Sequence, residues 1–597
     1  WEGSVTGAGP LDVAMSVAIP ELDGRIIGVP ASFKERGGDG TVRRVLPRDR
    51  AERLMGLAVR LARLRRTPNA EKRVAIILTN HHAKASRIAN AVGLDSPESV
   101  VRLLRALRDA GYTVGPIPEG GDALMQELLA RGHYEEETLT EAMLAGAAAR
   151  VPAERYRAWF EELPARRQAE MAERWGPPPG RHYLDAAGNL VVAGIVTGNV
   201  FLAIQPPRGY SMDRTAIMHQ PDLPPPHPYY ALYRWLREPR ELGGFGADAI
   251  VQVGKHGSAE WLPGKGVGLG ADCYPDLFVG DLPVVYPFII DGPGEGAAAK
   301  RRTHAVIVDH LPPPITNAEL YGELAELDRL VDEYYLLERT DPGRLPYLQR
   351  QIWDVIRQAG LANELDRLLQ DGGDGHVHEW DPREHEDGVP YALSDLSGEG
   401  FAHLVEAIHT YTHELGAAPI RVGLHVLGEV PEGDELVDFA AAMLRVRNGE
   451  IPALAEAAAA WLGIPADLLA LPAGQRLEGG VHVLPGEAAR SAGELQERLA
   501  GRGRAALRGV LLEGLDPLAA ASLAGPCRGD AGPLLAVLGF ARDRLGPALE
   551  RTGDELGHVV DALDGRYVPP GPAGALTRGM AHALPTGRNF YAVDPVS

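Results

Sequence analysis

Five short runs of nearly unbroken apolar residues mark the chain between 74 and 308, and each stops abruptly at polar residues, glycine or proline. They are VAIILT at 74–79, NVFLAI at 199–204, AIVQV at 249–253, VVYPFII at 284–290 and AVIV at 305–308. Their length and β-branched content predict strands buried on both faces. Between them the period changes. Val100, Leu103, Leu104 and Leu107 recur at helical spacing, behind Ser96 as the expected N-cap and Pro97 in the first turn, with Gly111 closing the helix. Residues 229–237 read as a helix between the runs at 199–204 and 249–253, and 297–302 as one between 284–290 and 305–308. Each is a βαβ unit, whose strands run parallel.

The resulting plan is α/β and multidomain: Rossmann-like parallel sheets with helical insertions and a helical C-terminal half. Residues 1–70 are expected to end an N-terminal α/β region. A Rossmann-like domain with a helical extension follows at 71–185, taking 112–114 as its second strand. Residues 186–315 form the central α/β domain, and 316–370 a helical segment opened by a capping box at Thr316 and Glu319. The run DGGDGHVHEWDPREHEDGVP at 371–390 reads as a linker, 391–480 as a mixed helical domain, and 481–597 as a truncated helical segment with a Gly/Pro-rich end. His376, His378 and His385 fall in that linker and read as loop residues, and His409 and His413 read as structural.

Open parallel sheets build their sites at the carboxyl ends of strands. Here those ends deliver Arg208, then His256 and Glu260, then Asp291 and Glu295, then Asp309 and His310, all at one expected sheet edge. His219 and His227 lie in a proline-stiffened loop after the first of these strands.

Composition narrows the chemistry. A net charge of −21 argues against nucleic-acid or anionic-membrane partners and requires a local basic pocket for any acidic ligand. Two cysteines make neither a disulfide framework nor a thiolate metal cluster, which suits a reducing cytoplasm. The longest apolar run, near 534–541, is far short of the ~20 residues of a membrane helix, so no transmembrane segment is expected. The P-loop pattern is missing too: Gly264-Lys265 lacks the spaced first glycine and is followed by Gly266.

The stretch GKHGSAEWLPGKGVGL from Gly254, followed by CYPDLFVGDLPVVYPFIIDGPGEGAAAKRRTHAVIVDHLPPP, closely resembles the large-subunit family of aerobic cobaltochelatases, CobN, which is related to the porphyrin-binding component of magnesium chelatase. The resemblance extends over WEGSVTGAGPLDVAM at the start, QPPRGY, HQPDLPPPH, RVGLHVLGEVPEG and PTGRNFYAVDP. PGEGAAAKRR and VIVDHLPPP are worded like the cobalt branch. Against the family both ends read as cut, so an internal fragment of a longer subunit is expected.

The resemblance implies insertion of Co(II), as substrate metal, into a corrin-type tetrapyrrole, hydrogenobyrinic acid a,c-diamide. ATP and Mg(II) would be used by AAA+ partner subunits, CobS and CobT, and not bound by this chain. Such chemistry needs a transient metal ligand and a base for the inner N–H protons, roles open to imidazole and carboxylate. His256, Glu260 and Glu295 are the catalytic candidates, and His256, Glu260, His219 and His310 the metal-ligating ones. Arg208, Lys255, Lys265, Lys300, Arg301 and Arg588 are candidates for the ring's carboxylates, where charge-assisted bonds are strong; Trp261 and Tyr286 could cover the ring. The alternatives are a magnesium chelatase H-type porphyrin-binding subunit and a tetrapyrrole-binding scaffold without chemistry.

Overall fold

A computed structural model of the chain describes residues 8–79, 93–131, 134, 141–210, 222–254, 259–313, 326–327, 329–330, 333–334, 337, 341–358, 424–471 and 476–591. The fold is mixed α/β. Six strands form its main sheet among the described residues: β1 (Val74–Leu78), β2 (Ile195–Thr197), β3 (Val200–Ile204), β4 (Ala249–Val253), β5 (Val284–Ile289) and β6 (Val306–His310). Their order is β6-β5-β4-β1-β3-β2. All neighbours are parallel except β2, which turns back antiparallel on β3.

The apolar runs become strands because both faces of the sheet are covered. Val74, Ile76 and Leu78 pack with Val100, Leu103 and Leu107 of helix α1 (Ser96–Asp109), whereas Ala75 and Ile77 join the opposite core with Tyr229, Tyr233 and Trp235 of α2 (His227–Arg237). The N-cap of α1 is Asp95, one residue before the expected Ser96; its carboxylate accepts the Glu98 amide at 3.0 Å. Further along, α3 (Pro293–Arg302) connects β5 to β6, and α4 (Gly433–Met443) and α5 (Asp554–Leu563) follow. The segment β7 (Asn589–Tyr591) lies beside β6 and brings in the PTGRNF motif.

Two expectations change. Strand β1 is central in the main sheet, between β4 and β3, so 71–185 and 186–315 share one sheet. Residues 112–114 form no strand; Val114 makes an isolated bridge to Gly198. The physical reason is that a run buried on both faces carries no record of its neighbours.

The chain divides into two compact units, 1–314 with 424–597, and 315–423. The C-terminal residues therefore return to the first unit, where Lys72 pairs with Asp564 at 2.7 Å. In the second unit a helix Leu345–Gln358 buries Leu348, Ile352, Trp353 and Ile356 along one side. The expected linker at 371–390 and the histidines at 376, 378, 385, 409 and 413 lie outside the described residues, and the expected helix from Thr316 falls largely outside them.

Candidate functional site

The parallel strands bring their carboxyl ends to one edge, as the βαβ pattern predicts. Thr79 follows β1, Gln205 follows β3, Gly254 follows β4, Ile290 follows β5 and Leu311 follows β6. Gly254 is needed where it stands: its φ is +116°, and a Cβ there would lie 2.1 Å from the Thr79 hydroxyl. Its carbonyl accepts the Tyr286 hydroxyl at 2.9 Å. Lys255 and His256, which come next, and His219 of the proline loop lie outside the described residues.

Glu260 sits in the short turn Ala259–Trp261 and is 3% exposed. Two guanidiniums share its surroundings. Arg208, 4% exposed, has its pKa lowered by burial, against the opposing pull of Tyr229 and Glu260. Arg302 is likewise lowered by burial, opposed by Cys273 and Glu260, and donates to the Leu262 carbonyl at 2.6 Å. Tyr233 completes the group: burial, then Tyr229 and Glu260, push its phenol well up, and its hydroxyl donates to Gln205 at 3.1 Å. The result is a water-poor cluster of one carboxylate, two guanidiniums and phenols. Trp261 is 37% exposed beside it, and Lys265 is buried on the following loop, its amide directed at the Cys273 sulfur.

Other predicted residues go elsewhere. Glu295 is half-buried in the first turn of α3, where the helix dipole favours a carboxylate. Lys300 is 2% exposed, and its ammonium donates to Asn589 Oδ1 at 2.8 Å and the Phe590 carbonyl at 2.6 Å; burial lowers its pKa to about 8. Arg301 makes a two-pronged pair with Glu21, at 3.0 and 2.9 Å, and Glu21 is fully buried. Arg588 uses its backbone: its amide donates to Asp309 Oδ1 at 2.6 Å and its carbonyl accepts from Asp309 at 2.9 Å. Lys300 and Arg301 are thus tied into the fold, away from the carboxylate-binding role expected of them. Consecutive helix positions point about 100° apart, and in the run Lys300-Arg301-Arg302 it is Arg302 that reaches the Leu262 carbonyl, within the electrostatic influence of Glu260.

His310 ends β6 within a second buried group. Its Nδ1–H donates to the Leu311 carbonyl at 2.8 Å, and its ring stacks on His425 at 5.6 Å and 14°. His425 Nε2–H donates to Glu555 at 2.6 Å. Glu555, fully buried, also accepts the Leu311 amide (3.0 Å), the Thr586 hydroxyl (2.7 Å) and the Gly428 amide (3.0 Å). Burial pushes its pKa up, but His425, His310 and the Gly428 amide outweigh that and leave it below the usual carboxylate range. Asp309, next door, goes the other way. Burial, reinforced by the Glu555 charge, raises it well above normal against its backbone hydrogen bonds, and its Oδ2 has no hydrogen-bond partner among the described residues.

Sequence reasoning missed Arg302, His425 and Glu555. Arg302 was within reach through helical spacing, and His425 through its place in HVLGEVPEG. Nothing in DELGHVV marks Glu555 as buried. Among the described residues no group of three or more His, Cys, Asp or Glu side chains is disposed to hold a metal ion, and no helix is long and apolar enough to cross a membrane.

A family model described as CobN/Magnesium Chelatase matches residues 1–597. The aerobic cobaltochelatase subunit CobN of Pseudomonas aeruginosa is 40% identical over 611 residues, covering 100% of this chain and 45% of that protein. The chloroplastic magnesium-chelatase subunit ChlH of Oryza sativa is 29% identical over 618 residues, covering 100% of this chain and 41% of its own length. The solved structure of the catalytic subunit of cobaltochelatase from Mycobacterium tuberculosis superposes with a TM-score of 0.71 at 39% identity, over 100% of this chain and 46% of that one. The chain spans less than half the length of these relatives.

Proposed function

Because the chain belongs to the CobN/magnesium chelatase family, we propose that it forms the tetrapyrrole-binding catalytic part of an ATP-dependent cobaltochelatase. The substrates are Co(II) and hydrogenobyrinic acid a,c-diamide, on the route to cobalamin. AAA+ partners of the CobS and CobT type turn over ATP with Mg(II), and the complex works in the cytoplasm. Identity of 40% to a cobaltochelatase subunit against 29% to a magnesium-chelatase one favours cobalt.

The observation that supports this reading most is the buried Glu260 beside Arg208 and Arg302, next to the strand end that carries the KHGSAEW motif. Inserting Co(II) displaces the inner N–H proton from the ring nitrogens, so the site needs an acceptor sheltered from water. Glu260 serves as that acceptor or holds the ion as it passes, and His256 is proposed to share that role. Arg208 and Arg302 supply the local positive charge an acidic macrocycle needs in a chain of net charge −21. Lys265, Trp261 and Glu295 complete the proposed ring site.

The test is Glu260→Gln in the full-length protein with partner subunits and ATP. Cobalt insertion should fall ~10²–10⁴-fold, the usual contribution of a positioned acid–base group, while affinity for the metal-free ring stays within about threefold. Insertion at the wild-type rate removes Glu260 from the chemistry.

A further inference from the structure

A cavity lies next to the residues that follow β6. Leu311, Pro312, His425, Glu429, Glu435 and Phe439 are in its wall. Its two ionisable groups of interest are held in different ways. His425 is 5% exposed and fixed on all sides. Its amide donates to the Gly93 carbonyl at 3.0 Å, its carbonyl accepts the Asp95 amide at 2.9 Å, and its ring lies on His310. Its Nε2–H is committed to Glu555 at 2.6 Å, so in the neutral ring the lone pair is on Nδ1, which makes no hydrogen bond among the described residues. Glu435, half-buried in the first turn of α4, makes no hydrogen bond or ion pair among the described residues.

An imidazole that hands one N–H to a buried carboxylate and keeps the other nitrogen basic is the usual arrangement behind a metal-ligating histidine. Imidazole and carboxylate together suit first-row divalent ions. The charge balance agrees. Burial and then the Glu429 charge raise Glu435, with His425 opposing, and a cation would relieve both costs. Glu429 is already engaged, 3.0 Å from Arg102.

We propose that His425 Nδ1 and the Glu435 carboxylate form a docking point for a divalent metal ion beside the end of β6. The idea rests on the chelatase function proposed above, and it assigns to this cavity the step in which Co(II) is taken from solvent before transfer to the ring. Two protein donors leave the rest of the ion's shell to water. That suits a ligand set that must release its ion, and it accords with the absence of a three-residue metal group among the described residues.

The experiment uses the full-length protein and Co(II) alone, without tetrapyrrole, with affinity measured by equilibrium dialysis. Glu435→Gln and His425→Gln should each weaken Co(II) binding tenfold or more, and the exposed neighbour Glu432→Gln should not. Under turnover with partners and ATP, the loss in Glu435→Gln should fall on KM for Co(II), tenfold or more, with kcat changed less than threefold. Glu435 makes no fold-stabilising bond among the described residues, so its variant decides even if His425→Gln does not fold. Wild-type Co(II) affinity in Glu435→Gln overturns the docking point, whether or not the wild-type protein inserts cobalt. Co(II) affinity that depends on Glu435, in a wild-type complex that inserts no cobalt, upholds the docking point and overturns the chelatase function instead.

Discussion

Glu555→Gln is the most informative single change in the second buried group. The carboxylate accepts four hydrogen bonds, from Leu311, Thr586, Gly428 and His425, with no exposure to water. Glutamine keeps one acceptor oxygen and turns the other position into an NH₂. Two of the four donors would then face a donor. Hydrogen bonds to charged groups contribute ~1.5–3 kcal/mol each, and breaking a buried pair from one side typically costs ~3–5 kcal/mol. Relief of the buried charge offsets part of this, so a net loss of ~3 kcal/mol is expected at pH 7. The pH dependence has a definite sign. The folded pKa of Glu555 lies below its unfolded value, so its contribution is full above the unfolded value of ~4.3 and is lost as pH falls through the folded one. The gap between wild type and variant should therefore narrow as pH drops from 5 toward 3. Urea unfolding followed by tryptophan fluorescence measures both quantities. A loss under ~1 kcal/mol at pH 7, or a gap that does not change with pH, would refute the role of the ionised carboxylate as the hub of this group.

Lys300→Met should cost ~2–4 kcal/mol of stability, because the Asn589 and Phe590 acceptors lose their donor; affinity for the metal-free ring should stay within twofold, and a selective loss of ring binding would restore Lys300 to the ring site. Asp309→Asn should be tolerated at pH 7, within ~1 kcal/mol of wild type, since the amide oxygen can still accept from Arg588 and Oδ2 has no partner among the described residues. A carboxyl raised in the folded state gives stability that is full below its unfolded pKa of ~3.9 and lost as pH rises through the folded value, so this variant should flatten the pH–stability curve above pH 5, and a steeper curve would contradict a neutral Asp309. Glu260→Gln and Glu435→Gln, argued above, address the chemistry and the metal.

Most local signals in the sequence carried through to the structure, with the strand expected at 112–114 and the N-cap expected at Ser96 as exceptions, and non-local ones did not. The runs VFLAI, AIVQV, VVYPFI and VIVDH became parallel strands with their ends at one edge, because a short crossover helix between two buried strands leaves no other arrangement. VAIIL reads as a strand of a separate domain, yet it lies at the centre of the main sheet, since strand order is decided by crossovers that leave no mark on the strand. The basic residues show the same limit from the other side. Lys300, Arg301 and Arg302 form one charged cluster in the sequence, yet the helix sends them to three partners: Asn589, Glu21 and the Glu260 turn.

Glu555 carries the point furthest. On a helix reading DELGHVVDAL it has the look of a solvated first-turn acid, and only the return of the C-terminal chain to β6 buries it under Leu311 and His425. That return also supplies Thr586, whose neighbours in PTGRNF hold β6 through Asp309. The motif most suggestive of ligand binding at the C-terminus therefore works as a clasp, and through Glu555 it sets the direction of His425, which lies 130 residues before that glutamate in the chain. If His425 takes up metal, its affinity is set at that clasp, because a carboxylate held by four donors cannot turn away to release the imidazole.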